Sequence, residues 1–407
     1  MEKKGSRAGV KVLIAGSILQ LFLGIIYVWS EFVAPVSTFF RWELADVKLT
    51  SSFMLCCFVL GILASGRLQS KVSAQKIVLA GGLLMAAGML AASFIPQTSR
   101  AVWLIYAAYG VVGGFGVGLA YNTVITCAQK WFPHKRGMAT GVSVCMFGFS
   151  TVVFAPLVKA LIGFNAATGA FEGFGPVAAF RILAAAFAVV TVALFSVVRL
   201  PEEGAVPQGK AAAVLSGKQY TTGEILKTGR FYFIALSMMF LTASYFILNP
   251  SFKDFASSRR LGDDVGTAIV MMTGIASALG RLAVPLLADK IGRENATFSI
   301  VTATAVGTAA LCIDSGAVYV AAVAIIAFCY GGSSGVYPLL TADHFGLKNV
   351  GSNYGAVMVG FMVSALLFPM IIGRIADMTA KFIVLAILAA VAAVMIIFLS
   401  RAKKALR

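Results

Sequence analysis

Twelve stretches of this chain run without a single Asp, Glu, Lys or Arg, apart from one arginine in the eighth, and that pattern limits the fold more than any motif does. They are Val12–Ser30, Leu49–Gly66, Ile77–Ile95, Ala101–Gln129, Gly137–Val158 and Ile182–Val198 in the first half. In the second half they are Phe231–Phe252, Val265–Ala288 (broken by Arg281), Ala296–Ile313, Ala317–Ala342, Ser352–Ile372 and Phe382–Ser400. A helix needs about 20 apolar residues to cross the hydrocarbon core of a bilayer, so each stretch, completed where short by flanking turns, is a candidate span. No segment alternates with period two, and an open sheet cannot satisfy its edge in lipid, so a barrel is excluded. The expected fold is an all-α membrane protein of twelve transmembrane helices. With 59% apolar and 12% charged residues, the chain lies far from the composition of a soluble domain.

Charge distribution gives the expected topology. Of 33 Lys and Arg, 22 fall in the N-terminus, the even-numbered loops and the C-terminus, ten on the other face, and one, Arg281, within a span. Such a bias places both termini in the cytoplasm of a cell whose inner membrane holds the protein. The charge is dispersed over short loops, which argues against nucleic acid despite a net +17. The first block runs into Trp29 and Pro35 without a small-residue cleavage site, so it reads as a retained span. Cysteines 56, 57, 127, 145, 312 and 329 all lie inside predicted spans and read as packing residues, with no metal-ligand spacing.

The longest hydrophilic stretch, 199–230, divides the chain into a six-helix half at 1–198 and another at 231–407. Six-plus-six with a cytoplasmic linker is the parallel-repeat plan of secondary transporters, which hold substrate near the midplane. A short echo fits it: Phe132-x-x-Lys135 before span five and Phe345-x-x-Lys348 before span eleven, each followed closely by glycine. In span four, Gly110, Gly114 and Gly118 recur every four residues with Gly113 and Gly116 between, which predicts close helix packing.

Few residues inside the spans carry chemistry. Arg281 lies eight residues before Asp289, roughly 12 Å inside the end of its helix. A guanidinium at that depth faces a bundle interior or wet cavity, and its planar fork suits a carboxylate. The competing reading is an arginine satisfied by backbone carbonyls or by snorkelling. Tyr121, with Asn122 beside it, sits nine residues before Lys130 at matching depth in span four. Tyr27 and Trp29 in span one and Tyr330 in span ten are also deep. Each fits core packing when taken singly; together they fit the lining of a small polar pocket. Glu31 and Asp254, near the outer ends of spans one and seven, are the acids available for proton coupling. For both, a solvated carboxylate or a loop ion pair with Lys253 is the simpler reading. His134 and His344 mark helix ends with no metal set. There is no phosphate-binding glycine loop and no midplane Ser, His and acid combination, so an enzyme is not expected, nor a cofactor.

Taken together these stretches resemble the major facilitator superfamily and, within it, the oxalate/formate antiporter family, relatives of the monocarboxylate transporters. The residues are Asp289-Lys290-Ile291-Gly292-Arg293 after span eight, with a degenerate counterpart at Gly66–Lys71, and Gly24-x-x-Tyr27-x-Trp29-Ser30 with Pro35. Further matches are Trp131–Gly137, Tyr220-x-x-x-Glu224-x-Leu226-x-Thr228 with Phe231-Tyr232, and Asn353-Tyr354-Gly355. The resemblance implies a substrate-binding arginine at Arg281 and a pocket lined by aromatics. Two positions depart from it. Ser277 stands where monocarboxylate transporters carry an aspartate one turn before the arginine. Phe361 stands where oxalate-handling relatives carry a lysine in span eleven, leaving one buried cation. The expected function is therefore secondary transport of a small monocarboxylate of the lactate or pyruvate kind by alternating access, as a proton-coupled symporter and as a monomer. An oxalate/formate-type antiporter, a membrane carboxylate sensor and a neutral-solute facilitator are the alternatives.

Overall fold

The computed structural model describes residues 2–97, 101–165, 168–201, 218–249, 263–372, 375 and 377–404. Twelve long helices account for nearly all of them: α1 (Arg7–Phe40), α2 (Leu44–Leu68), α3 (Ala74–Ala92), α4 (Trp103–Trp131), α5 (Arg136–Ile162), α6 (Gly175–Leu194), α7 (Gly229–Leu248), α8 (Asp263–Ile291), α9 (Arg293–Ala310), α10 (Gly316–Phe345), α11 (Val350–Ile371) and α12 (Met378–Lys404). Among the described residues there is no strand, only an isolated bridge between Phe164 and Phe171. Helices prevail because lipid offers no partner for backbone N–H and C=O groups, which must then be satisfied within the segment.

Eleven of the helices are long and apolar enough to cross a membrane. The exception is α9, which opens on Arg293 and Glu294 and carries a series of hydroxyl residues. Those hydroxyls bond to the helix's own backbone: Thr297 to Arg293 O at 2.8 Å, Thr304 to Ile300 O at 2.8 Å and Thr308 to Thr304 O at 2.7 Å. A helix polar by composition thus presents few unmet hydrogen-bonding groups, and it packs among α8, α10 and α12.

The chain forms two compact units. The first comprises residues 1–131 and 149–207; the second, residues 132–148 and 208–407. In the first unit, α4 is central. Gly114 and Gly118 meet the backbone of α2 at Met54 and Phe58, and Gly116 meets α3 at Gly81 and Leu84, so the predicted close packing is present on two faces of one helix. The segment Tyr106–Gly113 at the start of α4 is π-helical, a widened turn that places Tyr109 in full burial between Trp29 and Phe180. In α1, a short 3₁₀ segment at Gly24–Val28 changes the helical register before Trp29.

In the second unit, α8 and α10 pack backbone to backbone: Gly331 lies against Ser277, and Gly280 lies against Phe328. The turn from α8 to α9 passes through Gly292 at φ 91°, a conformation that side-chain-bearing residues rarely adopt. It brings Arg293 back onto its own turn, where Nη2 bonds Asp289 Oδ1 at 2.6 Å and Nη1 bonds Ala288 O at 2.6 Å. Ahead of α7, Thr221 and Glu224 form a reciprocal capping box around the one-turn helix Thr222–Ile225, and Thr228 caps α7.

Candidate functional site

Among the described residues of the second unit, Arg281 is the charged side chain sunk deep in a span. Arg281 is 3% exposed, and its guanidinium carbon lies 5.8 Å from the centroid of the Phe147 ring on α5. A cation over an aromatic face is favourable by about 0.5–2 kcal/mol, which offsets only part of the cost of taking a guanidinium out of water. Room for the side chain comes from Gly148, where a Cβ would lie 2.8 Å from Arg281 Cδ and 2.9 Å from Nε. On the other side, α10 crosses the same turn of α8, and a Cβ at Gly335 would lie 3.1 Å from the Arg281 carbonyl oxygen.

An aromatic group occupies the same unit. Tyr330 on α10 is 4% exposed and stacks on Tyr245 of α7, with centroids 3.8 Å apart and planes within 7°. Phe246 meets Tyr330 edge-on at 5.7 Å and Phe361 of α11 at 5.1 Å, and Phe361 lies 6.4 Å from Tyr330. The geometry therefore gathers Tyr330 and Phe361 and adds Tyr245 and Phe246, which sequence reasoning missed. Aromatic residues are common in apolar spans, and nothing in their spacing set these two apart. Gly148 was missed as well, although it continues a series with Gly137 and Gly141 along one side of α5.

The remaining candidates belong to the first unit. Tyr121 is 3% exposed and meets Phe58 edge-on at 5.1 Å, and its carbonyl accepts a bond from Gln20 Nε2 at 3.2 Å. Gln20 is a fully buried amide in α1, and as an uncharged residue in an apolar span it carries no signal in the charge pattern of the sequence. Asn122 donates through Nδ2 to Ile62 O at 3.0 Å and Ser65 Oγ at 2.9 Å, pinning α4 to α2. Trp29 donates from Nε1 to Val47 O at 3.1 Å and stacks on Tyr109 at 4.8 Å. Tyr27 is half-buried in the 3₁₀ segment, and Glu31 is half-buried one turn beyond. Asp254 and Lys253 lie outside the described residues.

At one end of the second unit, four elements meet in a charged network. Asp289 accepts from the backbone N–H groups of Gly137 at 3.1 Å and Met138 at 3.0 Å, so it caps the start of α5 with its negative charge at the positive end of the helix. Asp343 pairs with Arg136 at 2.5 Å and lies 3.6 Å from Arg293. His344, its side chain fully buried, is 3.1 Å from Glu294 through Nε2. The motif Asp289–Arg293 thus ties α5, α8, α9 and α10 together at their ends.

A chain whose described residues form twelve packed helices, eleven of them membrane-crossing by length and composition, with polar side chains buried in the spans, has the plan of a multi-pass membrane protein. The sequence agrees with the profile of the Major Facilitator Superfamily over residues 12–369, and the chain belongs to that family. It is 26% identical over 360 residues to the uncharacterized MFS-type transporter YhjX of Escherichia coli, covering 87% of this chain and 85% of that protein. It is 25% identical over 349 residues to the oxalate:formate antiporter of Oxalobacter formigenes, covering 84% and 79%. With monocarboxylate transporter 13 of Rattus norvegicus it shares 25% over 374 residues, covering 90% and 80%. The structure of the proton:xylose symporter XylE has the same fold, at a TM-score of 0.74 and 14% identity over 96% of this chain and 95% of that one.

Proposed function

We propose that the protein is a secondary active transporter of a small monocarboxylate anion, working by alternating access of its six-helix halves. The observation that carries this reading is Arg281: a permanent charge 3% exposed inside a span, cradled by Gly148 and Phe147 rather than turned toward a membrane surface. A carboxylate takes both arms of the guanidinium fork, and bound anion and arginine then neutralise each other in a low-dielectric site. Phe361 and Tyr330 lie together in the same unit, and Phe361 stands where the resemblance to oxalate-handling relatives would place a second cation for a dianion. The names of the relatives, an oxalate:formate antiporter and a monocarboxylate transporter, support a carboxylate cargo.

In this reading Arg281 binds the anion, Tyr330 and Tyr121 are the candidate phenol donors, and Tyr27, Asn122 and Trp29 are further candidate contacts. Asp254 and Glu31 are the candidate proton carriers, because Ser277 occupies the place of an acid one turn before Arg281. The positive-inside bias supports cytoplasmic termini, with the inner membrane as the proposed location. The test is uptake into proteoliposomes against a panel of lactate, pyruvate, formate, oxalate and a sugar, with an imposed proton gradient and then an imposed counter-anion gradient. Monocarboxylate uptake driven by the proton gradient supports the reading. Uptake driven only by internal anion makes the protein an antiporter, and uptake of the sugar alone overturns the anion reading.

A further inference from the structure

On the side of α8 away from Arg281 lies a long apolar groove. At 100° per residue, Lys290 is nine residues on from Arg281 and so points about 180° around the helix from it. Leu279, Ala283, Leu286 and Lys290 succeed one another along that face of α8, and Ala303 of α9 and Ile325 of α10 form the far wall of a cavity of about 880 Å³. Leu279 is 56% exposed, Leu286 37% and Ile325 42%, so the face is bare in the isolated chain. The groove begins at Ala276 and reaches Lys290, fourteen residues or roughly 21 Å along the helix axis, which exceeds one leaflet's share of a ~30 Å hydrocarbon core.

Charge distinguishes this groove from ordinary lipid-facing surface. The carboxylates at its Lys290 end are engaged elsewhere: Asp289 with Gly137, Met138 and Arg293, Asp343 with Arg136, and Glu294 with His344. Ser299, the other polar residue of the lining, donates its hydroxyl to Asn295 O at 2.9 Å. Lys290 is exposed at the end of the apolar channel, in the last turn of α8. An amphiphile with a long apolar chain and an anionic head fits this arrangement, the chain lying on the leucines and the head against the lysine. Basic sites between transmembrane helices hold anionic headgroups in this manner.

We propose that the α8–α9–α10 groove is a binding site for one anionic glycerophospholipid, its acyl chain along Leu279–Leu286 and its phosphate on Lys290. The site is independent of Arg281 and of what the protein carries. The experiment uses the full-length protein purified in mild detergent, titrated with phosphatidylglycerol or with phosphatidylcholine of the same chains, and read by native mass spectrometry and by thermal unfolding. Wild type is expected to retain one phosphatidylglycerol at a concentration about fivefold below that needed for phosphatidylcholine, the preference that one surface lysine supplies. Lys290→Gln, a change at an exposed position that leaves the core intact, should bring the two lipids level. Ala283→Trp, or Leu279→Trp if that variant does not elute as a single species, should remove the bound lipid by filling the groove. Equal retention of both lipids by wild type, or an unchanged preference in Lys290→Gln, overturns the proposal and leaves only annular lipid. So does a dimer mass that excludes lipid, which would make the groove a contact between two copies of the chain.

Discussion

Gly148 and Arg281 share one space: a Cβ on the glycine would stand 2.8 Å from the arginine's Cδ. The carbon missing from α5 is what allows the guanidinium to lie beneath Phe147. Gly148→Ala should therefore push the Arg281 side chain out of place at an overpacking cost of about 1–3 kcal/mol. The variant is expected to insert and to lose carboxylate affinity. A titration showing wild-type affinity in Gly148→Ala would mean that the arginine has another resting place.

Arg281→Lys keeps the charge and loses the fork, so the variant should fold and transport poorly. Arg281→Ala should bind no anion, since truncating one member of a buried charged pair costs on the order of 2–5 kcal/mol. Equilibrium binding of labelled substrate to the purified variants decides this, and retained affinity in Arg281→Ala removes the arginine from the site.

Tyr121→Phe and Tyr330→Phe should each weaken binding, the loss of a hydrogen bond to a charged group being worth about 1.5–3 kcal/mol. The stack of Tyr330 on Tyr245 needs only the ring, so Tyr330→Phe separates the hydroxyl's contribution from packing. Unchanged dissociation constants in both variants would assign the two tyrosines to packing alone.

Phe361→Lys should shift preference from monoanions toward dianions, because a second buried cation compensates the second carboxylate, whose burial unpaired costs several kcal/mol. In wild type, lactate, pyruvate and formate should displace label better than oxalate does. Oxalate as the better competitor for the wild-type protein would mean that the pocket compensates a second negative charge without Phe361→Lys.

A pH dependence follows from the capping box ahead of α7. The Glu224 carboxylate accepts first from the Thr221 backbone N–H at 2.7 Å and then from its hydroxyl at 2.9 Å, which lowers its pKa below the usual carboxylate value. A group whose folded-state pKa is depressed adds stability that is present above the unfolded-state value, about 4.3, and is lost as pH falls through the folded value. Glu224→Gln should thus melt slightly below wild type at neutral pH and converge with it on acidification. A gap that stays constant from pH 7 to pH 3 would show that the carboxylate's charge is irrelevant to the cap.

Much of the architecture was open to reading because lipid imposes a simple rule on sequence: a span must be long and uncharged. That rule located Arg281, since one charge in an otherwise neutral block is conspicuous, and the glycine stripes of α4 announced its close neighbours. The partners of Arg281 were harder to see. Phe147 and Gly148 stand more than 130 positions earlier, and neither a phenylalanine nor a glycine is unusual in a span. Asn122 and Trp29 were legible as deep polar and aromatic residues, but depth does not say where a donor is aimed; Asn122 bonds α2 and Trp29 bonds the Val47 carbonyl. Likewise, the pairing of His344 with Glu294 spans 50 residues and joins two helix ends that no local pattern connects.

The self-bonded hydroxyls of α9 have a consequence for how the chain is made. With Arg293, Glu294 and Asn295 in its first turn, α9 is the least apolar of the twelve helices and leans on its neighbours for its place, and those neighbours include α12, whose first residue is 68 positions beyond the last of α9. When α9 leaves the ribosome, α8 has already been synthesised, while the far side of its seat is still unwritten. The second unit therefore closes late, with the arrival of α12. A chain cut short after α11 would leave a threonine-rich helix facing hydrocarbon on the side where Met378–Lys404 belongs.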